Sequence, residues 1–261
     1  MIPKIIHYCW LSDDPVPMDL QNYMKTWKRY LPDYTFIHWN FKKFPKSQSK
    51  WVSDAFDNKK YAFAADYIRL YALYNYGGIY LDMDVELLKP YGNMLTLSTM
   101  IGFENSKSQG LEVAAFGVEK RSSWLKICLD YYDSRSFVNS DGSFNEQPLP
   151  GVIKHLLLSN GYSFREVNSI SEAASVSGKV IPVFPSDFFS PKNHLNGVIQ
   201  ESNNTYTIHH FAGSWLPLWQ QFEKKIWHSL GMRDFRILLR IKNLLLYGTI
   251  KSIPTASKNK L

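Results

Sequence analysis

The stretch from residue 62 to residue 90 constrains the fold more than any other part of the chain, and it reads AFAADYIRLYALYNYGGIYLDMDVELLKP. Apolar side chains recur at helical spacing in its first half, which predicts an amphipathic helix. Gly77 and Gly78 end this helix, because glycine readily adopts the backbone conformation of a C-terminal cap. The apolar residues Ile79 to Leu81 then predict a short buried strand. A helix that runs through a tight turn into a buried strand is typical of α/β proteins.

Two aspartates, Asp82 and Asp84, follow that strand. If the chain stays extended there, the alternation of side chains places both carboxylates on the same side. Carboxylate oxygens suit Mg²⁺ and Mn²⁺, which usually keep positions open for water and for substrate phosphates. The motif therefore predicts a cation site. The alternative is that Asp82 and Asp84 are two solvated acidic residues at the end of a strand. On the preceding helix, Asp66 and Arg69 are three residues apart and close enough to act together.

The first sixty residues alternate between strands and helices. Their pattern predicts strands at residues 2–10 and 34–39 and helices at residues 17–30 and 51–57. Together with the central stretch, this β-α-β-α-β order predicts a nucleotide-binding half with a mostly parallel sheet. Open α/β sheets bind ligands at the carboxyl ends of their strands, so we expect Trp10 to lie near a nucleotide.

The basic residues are concentrated at one end of the chain. The net charge is +7, and from Lys224 onward there are nine basic residues and one acidic residue, Asp234. A nucleic-acid-binding domain would carry its basic face on the folded body, so this distribution argues against one. We expect residues 1–222 to form one domain and residues 223–261 to form a basic, amphipathic helical tail. Such a tail suits an anionic membrane surface, although a terminal helix packed on the body has the same pattern.

Neither the cysteines nor the apolar segments indicate an exported protein. Cys9 and Cys128 do not make a disulfide framework. The N-terminus, MIPKIIHYCW, lacks the apolar segment of a secretory signal, and nowhere do 18 apolar residues run together. We therefore expect a soluble cytoplasmic protein, or one held peripherally at the inner face of the membrane by its basic tail.

The run from AADYIR to GGIYLDMDV resembles the core of the DXD-motif sugar transferases, a family that contains capsular-polysaccharide glycosyltransferases and initiating α-1,6-mannosyltransferases. It is also similar, more distantly, to the catalytic core of the large clostridial glucosylating toxins. The resemblance implies a GT-A fold, in which a mostly parallel sheet is flanked by helices, with residues 1–222 as the catalytic domain. It implies Mn²⁺ or Mg²⁺ as the cofactor, a nucleotide-sugar donor with UDP favoured, and an oligosaccharide acceptor that can be lipid-linked. The implied reaction is hexosyl transfer with retention of configuration, in bacterial capsular or surface polysaccharide synthesis.

The resemblance also implies a set of metal ligands. Residues 206–215 read YTIHHFAGSW, and many metal-dependent transferases of this fold end their catalytic domain with a similar His-aromatic-x-Gly segment. By that likeness, Asp84 and His210 hold the metal directly, while Asp82 binds it through water or grips the ribose and the sugar. His209 is one residue away and would point to the opposite face of a strand.

Further residues are implied for donor binding. By resemblance to the toxins, an indole stacks on the nucleobase, a helical acid–base pair binds ribose and sugar with a tyrosine alongside, and a closing loop contacts the diphosphate. These residues are Trp10, Asp66, Arg69, Tyr80, Asp82, Ser214 and Trp215. The predicted catalytic residues are Asp66, Arg69, Asp82 and Asp84. A purely structural helix pair is the alternative for Asp66 and Arg69.

Two other classes of protein fit parts of the sequence. Haloacid-dehalogenase-type phosphatases also carry a strand that ends in Asp-x-Asp-x-Thr/Val, and LDMDV satisfies that pattern. These phosphatases need a later lysine and a second acidic pair at a strand end, and the sequence offers no convincing acidic pair. A non-catalytic sugar-binding module would need neither nucleotide nor metal, so metal-dependent nucleotide binding would exclude it.

Overall fold

The computed structural model describes residues 1–105, 110–194 and 196–213. The predicted helical tail at residues 223–261 lies outside this range. The strands and helices in chain order are β1 (Ile5–Cys9), α1 (Met18–Tyr30), β2 (Thr35–Trp39), α2 (Lys50–Asp57), α3 (Tyr61–Tyr76), β3 (Gly78–Leu81), β4 (Val85–Leu87), β5 (Thr99–Asn105), β6 (Gly110–Val118), α4 (Ser123–Asp133), α5 (Leu149–Ser159), β7 (Ser163–Glu166), α6 (Ile170–Ala174), β8 (Val180–Val183), α7 (Ser186–Phe189) and β9 (Thr207–His209).

The main sheet has five strands in the order β2-β1-β3-β6-β5. β1 runs parallel to both β2 and β3, because the helices α1 and α2–α3 carry the chain back between these strands. β6 and β5 then extend the sheet in antiparallel fashion. Apolar clusters cover both faces of the sheet, one containing Tyr80 and the other its neighbour Ile79. The predicted α/β fold, with helices on both sides of the sheet, is confirmed.

The helix–turn–strand unit forms as the sequence predicts. α3 ends at Tyr76, where the Gly77 amide donates to the Leu73 carbonyl at 2.8 Å, and β3 begins at Gly78. Gly77 and Gly78 have φ angles of 66° and 108°, which disfavour other residues. A Cβ atom on Gly78 would also lie 2.6 Å from the Ile5 carbonyl oxygen. The glycine pair therefore brings α3 tightly back onto the sheet.

Helix α3 is buried more widely than an amphipathic pattern predicts. It packs against α2 and α4 as well as against β1, so that Asp66 and Arg69 also lie in the interior. Asp66 is only 8% exposed and Arg69 only 5% exposed. A buried ion pair must satisfy its charges within the protein, and this requirement shapes the site described below.

A second, two-stranded ladder joins β4 to β9 in antiparallel register. Val85 lies opposite His209, and Leu87 lies opposite Thr207. This pairing brings residues from the far end of the described chain next to the turn that contains Asp82 and Asp84. Among the described residues, no helix combines the length and apolar character needed to cross a bilayer.

Candidate functional site

A cleft of about 450 Å³ lies where β1 and β3 end. Its walls come from the loop after β1, the first half of α3, the turn after β3 and the segment after β9. The lining residues are Cys9, Trp10, Leu11, Ser12, Asp14, Tyr61, Ala62, Ala65, Arg69, Tyr80, Asp82, Met83, Asp84, His209, Phe211 and Gly213. The carboxyl ends of the parallel strands thus form the cleft, as expected for an open α/β sheet.

Both aspartates of the motif line this cleft, but the backbone between them is a turn and not an extended strand. The Val85 amide donates to the Asp82 carbonyl at 3.0 Å, which closes the turn. The Asp82 amide donates to the Ala114 carbonyl at 2.8 Å, and the Asp84 carboxylate accepts from the Ala212 amide at 2.7 Å. The predicted shared orientation is therefore correct, while the predicted extended geometry is wrong.

Arg69 links the helix to the motif. Its Nη2 atom lies 3.2 Å from Asp82 Oδ1 and 3.4 Å from Asp66 Oδ1. Its Nη1 atom donates to the Val113 carbonyl at 2.6 Å, and its guanidinium lies 4.5 Å from the centre of the Tyr80 ring. The structure thus brings together four of the residues predicted for donor binding, namely Asp66, Arg69, Tyr80 and Asp82.

Burial perturbs the acidic groups of this cluster. It raises the pKa of Asp66 to about 6, against the lowering effect of Arg69 and with a further increase from Asp82. Burial also raises the pKa of Asp82, which Arg69 opposes and Asp84 reinforces. One arginine therefore only partly offsets the negative charge, and a bound cation would favour the ionised carboxylates.

His209, and not His210, is the histidine beside the aspartates, which corrects the sequence-based prediction. The His209 Nε2 atom lies 3.7 Å from Asp84 Oδ1, and its ring centre lies 3.9 Å from that of Phe211. His209 is the last residue of β9 and lies opposite Val85, and this register turns its side chain toward the cleft, while His210 follows the strand and faces the other way.

His210 makes contacts on the other side of the ladder. Its ring stacks on Tyr23 of α1 with 4.3 Å between ring centres. Its Nε2 atom lies 2.8 Å from Glu86 Oε2. Only its backbone amide reaches the motif, by donating to the Asp84 carbonyl at 3.0 Å. His210 is therefore not placed to ligate a metal between the aspartates.

Trp10 lines the cleft. Its indole N–H donates to the Asp14 carbonyl at 2.8 Å, which fixes the ring within the loop after β1. Gly213 lines the cleft as well, and the predicted diphosphate contacts, Ser214 and Trp215, follow it in the sequence but lie outside the described residues.

Sequence reasoning missed Glu112. This residue lies on β6, is 1% exposed and contacts His209. The signal was present, because Glu112 is the single charged residue of the strand GLEVAAFGV. A fully buried glutamate is rare unless it is paired.

Asp82, Asp84 and His209 can hold a metal ion. Each offers one ligand atom, and these atoms lie within 4.8 Å of one another. Carboxylates suit Mg²⁺ and Mn²⁺, while an imidazole suits transition metals. The mixed donor set therefore fits Mn²⁺ better than Mg²⁺.

Known proteins resemble this chain mainly around the motif. Residues 17–104 match the family described as a glycosyltransferase sugar-binding region containing a DXD motif. An inositol phosphoceramide mannosyltransferase of Schizosaccharomyces pombe is 32% identical over 107 residues, which are 38% of this chain and 33% of that protein. A mannosyl phosphorylinositol ceramide synthase of Saccharomyces cerevisiae is 36% identical over 88 residues, which are 32% of this chain and 23% of that protein. The match thus spans a third or less of these relatives.

Among solved structures, a PaToxG glycosyltransferase superposes with a TM-score of 0.46 and 19% sequence identity, covering 61% of this chain and 70% of that chain. The matched segment, residues 17–104, contains one Asp-x-Asp sequence, Asp82-Met83-Asp84, and the structure places it at the cleft. Through this segment, the chain is similar to the DXD-motif glycosyltransferases.

Proposed function

We propose that this protein is a metal-dependent glycosyltransferase that moves a hexosyl group from a nucleotide diphosphate sugar to a hydroxyl group of a saccharide acceptor. The observation that carries this proposal is the convergence of Asp82, Asp84 and His209 at one cleft. Two of these residues belong to the segment matched to the glycosyltransferases, and the third comes from β9.

The three side chains would hold Mn²⁺. When bound there, the cation would neutralise the negative charge that develops on the diphosphate leaving group. The chain itself holds these ligands in place through two backbone hydrogen bonds. The Asp82 amide donates to the Ala114 carbonyl, and the Ala212 amide donates to the Asp84 carboxylate.

The other side chains of the cleft suit the donor. The indole of Trp10 offers a flat apolar surface against which a nucleobase can stack. Arg69 lines the cleft and would donate to the hydroxyl groups of ribose and sugar. Asp66 is not one of the lining residues; it pairs with Arg69 at 3.4 Å, and the contact of Arg69 with Asp82 holds this pair near the motif. The cation and the nucleotide would thus bind in the same cleft.

The finer parts of the proposal concern the substrates and the location. UDP is the favoured nucleotide on the likeness of Trp10 to the toxins, whereas the relatives whose names state mannosyl transfer to inositol phosphoceramide make GDP the competitor. We further propose a lipid-linked saccharide acceptor, retention of configuration and a role in capsular or surface polysaccharide synthesis. We also propose a cytoplasmic protein with a membrane-associated tail. These proposals rest on the sequence resemblance and on the basic residues from Lys224 onward.

Thermal unfolding with nucleotides tests the donor and the metal together. The chain is heated with UDP, GDP or CMP, each with Mn²⁺ or with EDTA. A ligand that binds only the native state stabilises it by about 2.7 kcal/mol at a hundredfold its dissociation constant. We expect a clear increase in Tm with one nucleoside diphosphate, only in the presence of Mn²⁺.

Two variants make this experiment specific. Asp84→Asn keeps a carbonyl oxygen for the Ala212 amide but removes the charge, and we expect it to lose the nucleotide-dependent shift. Glu86→Gln is the control, because Glu86 contacts His210 outside the cleft. The absence of a shift with every nucleotide, together with phosphatase activity on a generic phosphate ester, would favour the haloacid-dehalogenase alternative.

A further inference from the structure

We propose that Glu112 is a positioning residue that orients the His209 ring, so that its Nε2 atom faces the acidic motif and its Nδ1 atom stays protonated. This inference rests on the proposed function, since it assigns Glu112 the task of preparing a metal ligand. Glu112 comes from the main sheet, whereas His209 belongs to the separate β4–β9 ladder.

Both oxygens of Glu112 have fixed partners. Its Oε2 atom lies 3.2 Å from His209 Nδ1, and its Oε1 atom accepts from the Ala114 amide at 2.7 Å. The side chain is 2% exposed. A carboxylate held at both oxygens cannot swing into the cleft, so its role is to hold the ring and not to bind a ligand.

The opposite nitrogen of the same ring points toward the motif. The His209 Nε2 atom lies 3.7 Å from Asp84 Oδ1, at the distance expected of two groups that share an ion. A carboxylate that accepts from one ring nitrogen fixes the tautomer and the direction of the other. Glu112 therefore contacts one nitrogen of the His209 ring, and the other nitrogen faces Asp84, the neighbouring proposed metal ligand.

The strand that carries Glu112 also fixes the rest of the site. The next residue, Val113, accepts from Arg69 Nη1 at 2.6 Å, and Ala114 accepts from the Asp82 amide at 2.8 Å. Three consecutive residues of β6 therefore contact the helix, the motif and the histidine. This arrangement sets the positions of all three parts relative to one another, which a metal or substrate site requires.

Glu112→Gln separates orientation from packing, because the amide has nearly the volume of the carboxylate. If the amide oxygen keeps the bond from Ala114, the NH₂ group faces His209 Nδ1, which must then accept a hydrogen bond instead of donating one. The neutral ring then carries its proton on Nε2, where it blocks the lone pair that a metal needs.

The experiment measures Mn²⁺ affinity of the full chain by electron paramagnetic resonance of the free ion, without nucleotide. We expect Glu112→Gln to weaken binding by about 10–100-fold, as is typical when the partner of a ligating histidine is lost. Glu86→Gln is the matched control, because it removes the same charge from the neighbouring His210 and should leave the affinity unchanged. Circular dichroism confirms that each variant is folded.

A second measurement needs no variant of Glu112. In wild-type protein labelled with ¹⁵N-histidine, with Zn²⁺ as a diamagnetic probe, we expect His209 to be metal-bound at Nε2 and protonated at Nδ1; His209→Asn assigns its signal. Wild-type affinity in folded Glu112→Gln, or metal binding at Nδ1, overturns the role of Glu112 while the proposed function stands. No Mn²⁺ binding by wild-type protein overturns both.

Discussion

Two adjacent histidines, His209 and His210, are each paired with a glutamate, but their pKa values are shifted in opposite directions. The pKa of His209 is raised to about 9, because Glu112 and Asp84 together outweigh the lowering effect of burial. The pKa of His210 is lowered, because burial and nearby Lys192 outweigh the bond to Glu86. The two histidine–glutamate pairs therefore differ in the direction of the histidine pKa shift, although the histidines are consecutive in the chain.

The difference comes from the carboxylates and not from the histidines. Both histidine side chains are 15% exposed, but Glu112 is 2% exposed and Glu86 is 32% exposed. A buried carboxylate interacts strongly with a neighbouring charge, because little water screens it. His209 also has a second carboxylate, Asp84, whereas His210 has Lys192, which donates to its carbonyl at 3.0 Å.

The largest expected effect separates the two histidines by function. We predict that His209→Asn lowers kcat/KM for sugar transfer by more than the about 10–100-fold that loss of a ligand's partner causes, because a ligand itself is removed. His210→Asn should change kcat/KM little. Once a donor is identified, steady-state kinetics at saturating Mn²⁺ measure both variants. Equal losses of kcat/KM in the two variants would contradict the prediction that only His209 acts at the metal site.

The next effect concerns stability. Glu112→Ala removes the more deeply buried of the two carboxylates beside His209, and we expect the free energy of unfolding to fall by about 3 kcal/mol. Glu86→Ala removes a more exposed partner and should lower it by less than about 1 kcal/mol. Urea unfolding at neutral pH, in EDTA, measures both. Similar losses would show that the burial of the carboxylate does not decide the strength of the pair.

A third histidine, His7, extends the comparison, because it is buried without a carboxylate partner among the described residues. Trp39 donates to His7 Nδ1 at 3.0 Å, and His7 Nε2 lies 2.8 Å from the Gly77 carbonyl. Burial lowers the pKa of His7 to about 4, although the Gly77 bond opposes this. The neutral ring therefore stabilises the fold above pH 6.5, and this stabilisation is lost as the pH falls toward 4.

We expect this loss to be on the order of 3 kcal/mol, from the difference in pKa between the folded and unfolded chains. Urea unfolding between pH 7 and pH 4, compared with His7→Asn, isolates the contribution of this ring. The difference in unfolding free energy between the two proteins should shrink as the pH falls. A constant difference would contradict the prediction.

Local patterns in the sequence determined much of the site. The helix, the glycine pair and the strand that leads into Asp82 are adjacent in the chain, so periodicity and backbone preference suffice to place them. The pairing of Asp66 with Arg69 follows from helical spacing, and Trp10 lies at the cleft because it directly follows β1. These are short-range relations, and side-chain pattern alone encodes them.

The tertiary structure decided what depends on contacts between distant residues. The register of β4 with β9 selects His209 over His210, and a shift by one residue would reverse that choice. The proximity of Glu112 to His209 joins two separate sheets, which no local pattern reports. The sequence thus determined which chemical groups the site contains, whereas packing determined which of them meet, because strand register and burial are properties of the whole fold.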